Sequence, residues 1–161
     1  MKKALTLTAA MAASALLAAP ALASTFSPAP SSGTITGTLT LSQTVTLTCS
    51  FSANYSINAA GTVMTITGQS FSGGFGCSAL SPLGAWTATP NHGTPPTVDI
   101  TVSAGSLFGT CNGTISDVAW NNSSGTTGPN FQNDTVAGEV GGTPTPCTIN
   151  GQLVTSSDVT I

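Results

Sequence analysis

What this sequence has least of is positive charge. Lys2 and Lys3 are the only basic residues among 161, so no Lys or Arg occurs from residue 4 onward. Nucleic acids are held largely by cations that displace phosphate counterions, and anionic lipid surfaces recruit proteins through basic residues as well. Both are excluded as electrostatic partners. The five acids, Asp99, Asp117, Asp134, Glu139 and Asp158, likewise find no Lys or Arg to pair with beyond the first residues of the chain. Neutral Thr, Ser, Asn and Gly must supply the polar surface instead.

Histidine is nearly as scarce. His92 stands alone in the loop-like segment Pro-Asn-His-Gly-Thr-Pro-Pro, whereas a hydrolytic triad needs a nucleophile, a base and an orienting carboxylate. No Gly-x-Ser-x-Gly elbow accompanies it, so His92 reads as an exposed loop residue and no catalytic residue is assigned. The cysteines lack the tight Cys-x-x-Cys pairs of a zinc site, and the acids lack EF-hand spacing. Scattered as they are, the acids single out no carboxylate pair of the kind a glycosidase uses. A non-enzymatic protein with no cofactor and no metal is expected. Helical signals are missing too, since no stretch carries apolar residues at helical spacing with caps. Nothing after the opening segment approaches the roughly 20 apolar residues of a membrane-spanning helix.

What is present begins with MKKALTLTAAMAASALLAAPALAS. A charged start, an Ala/Leu-rich run and the small-residue box Ala21-Leu22-Ala23 read as a secretory signal peptide over residues 1–23. The expected localisation is secreted, via the periplasm, to the extracellular side or the outer cell surface. Residues 24–33, which include Ser-Pro-Ala-Pro-Ser-Ser-Gly, read as a flexible Pro/Ser-rich leader, and residues 34–161 as one domain. In an exported chain, Cys49, Cys77, Cys111 and Cys147 read as a disulfide framework. Three pairings are possible. Cys49 with Cys77 and Cys111 with Cys147 are favoured, because each interval holds a strand, a turn and another strand.

From residue 35 to 55 the pattern is strict. Ile35, Leu39, Leu41, Val45, Leu47, Cys49, Phe51, Ala53 and Tyr55 fall on odd positions, while Thr and Ser fill most even ones. Period two in such Thr-rich sequence means half-buried β-strand. A single straight strand of that length would run about 70 Å at roughly 3.3 Å per residue, beyond the roughly 40 Å of a compact domain. Either the chain bends at Ser42-Gln43, or residues 34–41 project as an arm that completes a neighbour's sheet. Further strands are expected around residues 62–67, 85–89, 98–102, 114–120 and 147–154, punctuated by Gly, Pro and Asn clusters. The expected fold is all-β: an antiparallel β-sandwich or flattened barrel of about eight strands, stabilised by disulfides.

With charge so scarce, aromatic side chains have the most to offer a partner. Phe51, Trp86 and Trp120 read as core. Tyr55, Phe71, Phe75, Phe108 and Phe131 are the candidate surface contacts.

Four stretches, LTLSQTVTLTCSFSA, ITGQSFSGGFGCSALSPLGAWTAT, SLFGTCNGTISDVAWNN and PCTINGQL, occur in this order. Their cysteine spacing, Gly-Phe turns and Leu-Gly-x-Trp step resemble the secreted "protein activator of alkane oxidation" (PraB) family over residues 34–154. The resemblance implies an exported accessory protein that promotes alkane utilisation or biofilm adhesion, with no catalytic residues to carry over. The expected partners are hydrophobic surfaces or hydrocarbon, or cell-surface matrix, with self-association and without nucleic acid or a membrane span. Two alternatives stand beside it: a fibre or pilus-like adhesin subunit using residues 34–41 as a donor strand, and a secreted polysaccharide-active or carbohydrate-binding protein.

Overall fold

The computed structural model describes residues 24–107 and 109–161. The expected signal peptide, residues 1–23, lies outside the described residues. The alternating segment folds back on itself as a hairpin of β1 (Ser31–Ser42) and β2 (Thr46–Ile57), paired without interruption from Ser31↔Ile57 to Ser42↔Thr46. The bend falls at Gln43–Val45, where the Gln43 N–H donates to the Val45 carbonyl at 3.1 Å. The donor-strand alternative is corrected here, because residues 34–41 are paired on both edges within their own chain. Their second edge meets β11 (Cys147–Thr155).

The remaining long strands are β3 (Met64–Gly73), β5 (Trp86–Asn91), β6 (Thr97–Ser106), β7 (Gly109–Asn121) and β8 (Gly128–Val136). Neighbours run β7-β8-β11-β1-β2-β3-β5-β6, and β6 pairs back onto β7, which closes an eight-stranded antiparallel barrel. The barrel form of the expected all-β fold is therefore the one adopted, and closure removes free edges that Lys would otherwise have to guard. Three short strands extend the rim: β4 (Ser81–Pro82) on β6, β9 (Gly138–Val140) on β7, and β10 (Thr143–Pro144) on β9.

Closure demands curvature, and three register shifts supply it, at Ser52/Asn54, Val98/Ile100 and Ile149/Asn150. At the third, Gly151 holds φ +131°, and a Cβ there would sit 2.1 Å from the Thr38 carbonyl oxygen. Only glycine lets β1 and β11 approach so closely.

The odd-numbered side chains of β1 and β2 point inward, from Ile35 at 0 % exposure to Tyr55 at 2 %. Phe51 stacks on Trp86 with ring centroids 5.2 Å apart, and Phe71 meets Phe51 edge-on at 5.3 Å. Their polar atoms are not stranded: the Trp86 indole N–H donates to the Ser103 carbonyl at 3.0 Å. Outside, the even positions of β1 and β2 and the outward faces of β6 and β7 carry a wall of hydroxyls. Thr40 and Thr48, Ser42 and Thr46, and Thr101 and Thr114 hydrogen-bond across strands at 3.1, 2.9 and 2.8 Å.

One end of the barrel is plugged by the segment just before β1 and by the residues after β11. Within residues 24–33, expected as a flexible leader, Phe26 is packed, 1 % exposed and 5.2 Å from the Trp120 ring. Its N–H donates to the Gly61 carbonyl at 2.7 Å, while Ser27 and Thr160 exchange backbone bonds at 2.8 and 2.9 Å. Trp120 completes the plug by donating its indole N–H to the Val159 carbonyl at 3.0 Å.

Candidate functional site

The opposite end, the mouth, is built differently. It is ringed by the β1–β2 turn, the β6–β7 turn, the segment 74–85, which includes a short 3-10 helix, Cys77–Ala79, and the segment 137–146, which carries Glu139. Both disulfides are here. Cys49–Cys77 pins the 3-10 helix to β2, and Cys111–Cys147 ties β7 to β11, with Cα separations of 5.6 and 5.9 Å. These are the favoured pairings. They close loops of 28 and 36 residues, each stabilising by about 3.5 to 4 kcal/mol on the chain-entropy argument. The Gln43 amide group donates to the Thr145 and Thr110 carbonyls at 2.7 and 3.3 Å, fastening the β1–β2 turn across the mouth.

The large apolar side chains that face water among the described residues are Val45 (38 % exposed), Phe75 (93 %), Leu83 (57 %) and Leu107 (91 %). All four stand around the mouth, on the two turns and on the segment between β3 and β5. Scattered exposed apolar residues need no explanation, but a set gathered at one end does.

Between them lies a small crevice of about 30 Å³. Among the described residues it is lined by Leu41, Val45, Leu47, Leu80, Ala104 and Gly105. The crevice shares Val45 and Leu47 with a cleft beneath Phe75, and Gly105 with a cleft lined by Leu83 and Leu107. None of the described residues lining these three hollows is charged.

Charge lies mostly elsewhere. At the plugged end the Asn91 amide donates to both Asp99 and Asp117, at 2.6 and 3.2 Å, and the Asp117 N–H returns to Asp99 at 3.1 Å. The pair fastens the β5–β6–β7 turns, and exposed His92 sits in the loop just after Asn91. Asp158 takes hydrogen bonds from the Ser124 hydroxyl and the Gly125 N–H, and these, in that order, hold its carboxyl below the usual range.

Of the candidate contact residues, Phe75 is at the mouth and fully in water. Tyr55, Phe71 and Phe131 are corrected: they are 2, 7 and 2 % exposed. Tyr55 falls on the inward parity of β2, and its hydroxyl bonds the Ser157 hydroxyl at 2.6 Å. The bulge opposite Ser52/Asn54 turns Phe71 inward, and Phe131 fills the interior beneath β8. Phe108 lies outside the described residues. Val45, Leu83 and Leu107 were not anticipated, although an aliphatic residue in a Ser/Gly-rich turn was a visible signal for each of the last two.

No curated protein and no solved structure matches the chain. The family model described as alkane oxidation protein activator, PraA/PraB-like, matches residues 1–161, its whole length. The chain therefore belongs to the PraA/PraB-like family of alkane oxidation protein activators.

Proposed function

We propose that the protein assists alkane use without catalysing a reaction, by adsorbing mouth-first, outside the cytoplasm, to the surface of hydrophobic carbon. One observation carries this reading: the exposed Val45, Phe75, Leu83 and Leu107 gather at one end of the barrel. Moving these side chains from water to hydrocarbon is worth on the order of 5 kcal/mol, enough for reversible adsorption. The hydroxyl wall of β1 and β2 stays wet, and its lack of charge lets neighbouring molecules crowd on a droplet without repulsion. The missing cations give anionic lipid surfaces no electrostatic advantage over oil. Disulfides at the mouth suit an oxidising compartment.

Adhesion within a cell-surface matrix would use the same apolar end and is the second reading. The carbohydrate reading has less support, because Phe75 is the sole exposed aromatic among the described residues, and Trp86 and Trp120 are core.

Partitioning into a hexadecane emulsion tests the proposal. The oxidised protein should leave the aqueous phase, while a variant carrying Val45→Thr, Phe75→Ser, Leu83→Ser and Leu107→Ser should remain there with an unchanged circular dichroism spectrum. Equal partitioning of the two would overturn it.

A further inference from the structure

Phe75 is held out into water by anchors on either side of it. Gly73 pairs with Cys49 of β2, and Cys77 is disulfide-bonded to the same Cys49, so the short excursion that carries Phe75 is fastened at both ends to one residue. The Cys77 N–H also donates to the Gly74 carbonyl at 3.2 Å. Gly76, at φ +83°, brings the chain back over Leu47, where a Cβ would meet the Leu47 side chain at 2.8 Å. The ring at the tip is 93 % exposed. A segment fastened on both sides of an exposed ring loses little freedom when that ring is bound.

Beside the ring lies an open hollow of about 360 Å³, lined by Val45, Thr46, Leu47, Thr48, Gly74 and Phe75 itself. We infer that this hollow receives the Phe75 ring of a second copy of the chain, so that two molecules join at the flank of the mouth, each aromatic filling the other's hollow. The inference rests on the proposed function, because the ring it withdraws in water is one of those that contact oil.

Three observations select this occupant. Knob and hollow lie side by side on one surface, and a two-fold contact needs that arrangement, since each copy must offer both halves. The resident Phe75 is itself part of the lining, so an incoming ring finds an aromatic partner for edge-on or offset contact. Charge is the second observation. None of the lining residues is charged, and no Lys or Arg occurs from residue 4 onward. The site therefore has no charge with which to select a foreign protein, and no like charges hold two copies apart. Size is the third. A buried Phe contributes roughly 150 to 250 Å², so two rings with their flanking residues reach only the low end of specific interfaces. The dimer is accordingly weak, with a Kd on the order of 100 µM. Dilute protein presents Phe75 to oil, and concentrated protein hides it.

Sedimentation velocity of the oxidised protein, from about twentyfold below that Kd to about tenfold above it, tests the pairing. The wild type should pass from monomer to dimer across this range. Phe75→Ser, at an exposed position, should stay monomeric with an unchanged circular dichroism spectrum. Thr46→Glu keeps Phe75 but sets a carboxylate beside both hollows, and should weaken the dimer at least about tenfold. In a mixture of isotopically labelled and unlabelled protein, isotope-filtered NOEs should link the Phe75 ring of one copy to the Val45 and Leu47 methyls of the other.

A monomer at the highest concentration, a dimer undiminished in Phe75→Ser, or intermolecular NOEs confined to residues away from Phe75 would each overturn the pairing. The two readings fail separately. A protein that is monomeric throughout yet partitions into hexadecane refutes the dimer and leaves adsorption standing. A Phe75-dependent dimer that stays in water at every dilution supports the contact between copies and refutes adsorption.

Discussion

Replacing Phe26 by Ala should destabilise the barrel severely, although the residue lies ahead of the first strand in a Pro/Ser-rich stretch. Phe26 is 1 % exposed, packs on Trp120 at 5.2 Å and is fixed by its N–H to Gly61. Truncating a buried Phe to Ala costs about 3 to 5 kcal/mol through lost transfer energy and the cavity left behind. Unfolding entropy for a unit of roughly 140 residues makes each kcal/mol worth about 3.5 °C in Tm. The melting temperature should therefore fall by about 10 to 17 °C, read by differential scanning calorimetry on the oxidised protein. Leu107→Ala is the control, because Leu107 is 91 % exposed at the other end and its truncation should move Tm by less than about 2 °C. Equal small shifts for both variants would refute the claim that the leader plugs the barrel.

Removing Cys49–Cys77 by paired Cys→Ser substitution should lower Tm by about 12 °C, from the roughly 3.5 kcal/mol of its 28-residue loop; a fall under about 3 °C would contradict it. Gly151→Ala places a Cβ 2.1 Å from the Thr38 carbonyl at φ +131°, so a loss of about 2 to 4 kcal/mol is expected in urea unfolding, with β1–β11 amides exchanging first. Asp158 has a lowered folded pKa, so its contribution is present above the ordinary value of 3.8 and is lost as pH falls through the folded one. Melts from neutral pH down through the carboxylate range should show this acid-side loss in the wild type and not in Asp158→Asn; parallel curves would contradict the linkage.

How much of this was legible depends on how evenly each strand alternates. The Thr/aliphatic parity of residues 35–55 marked β-strand, its inward face and the inward place of Cys49, with the hairpin as one of two readings. The disulfide pairing followed from interval content, since each bridge joins the ends of a local excursion. Strand β8 was not legible, because Gly-Pro-Asn-Phe-Gln-Asn-Asp-Thr-Val reads as turn residues, and its extended form is imposed by β11 beside it. Barrel closure was open as an alternative only, since it depends on bulges and on the β6–β7 seam, which local pattern does not encode. The aromatics misled for a related reason. A bulge reverses parity between Met64 and Phe71, and scarcity of charge drew attention to rings that the core had already claimed. The mouth was hidden because its apolar residues come from three separated loops that only the fold brings together.

The central claim is orientation, and hydrogen–deuterium exchange of the protein adsorbed on hexadecane droplets tests it most directly. The account expects slowed exchange at residues 43–48, 74–85 and 104–107 around the mouth, with residues 58–61, 91–96 and 122–126 at the plugged end exchanging as in solution. Protection spread evenly over the barrel, or concentrated at the plugged end, would contradict it.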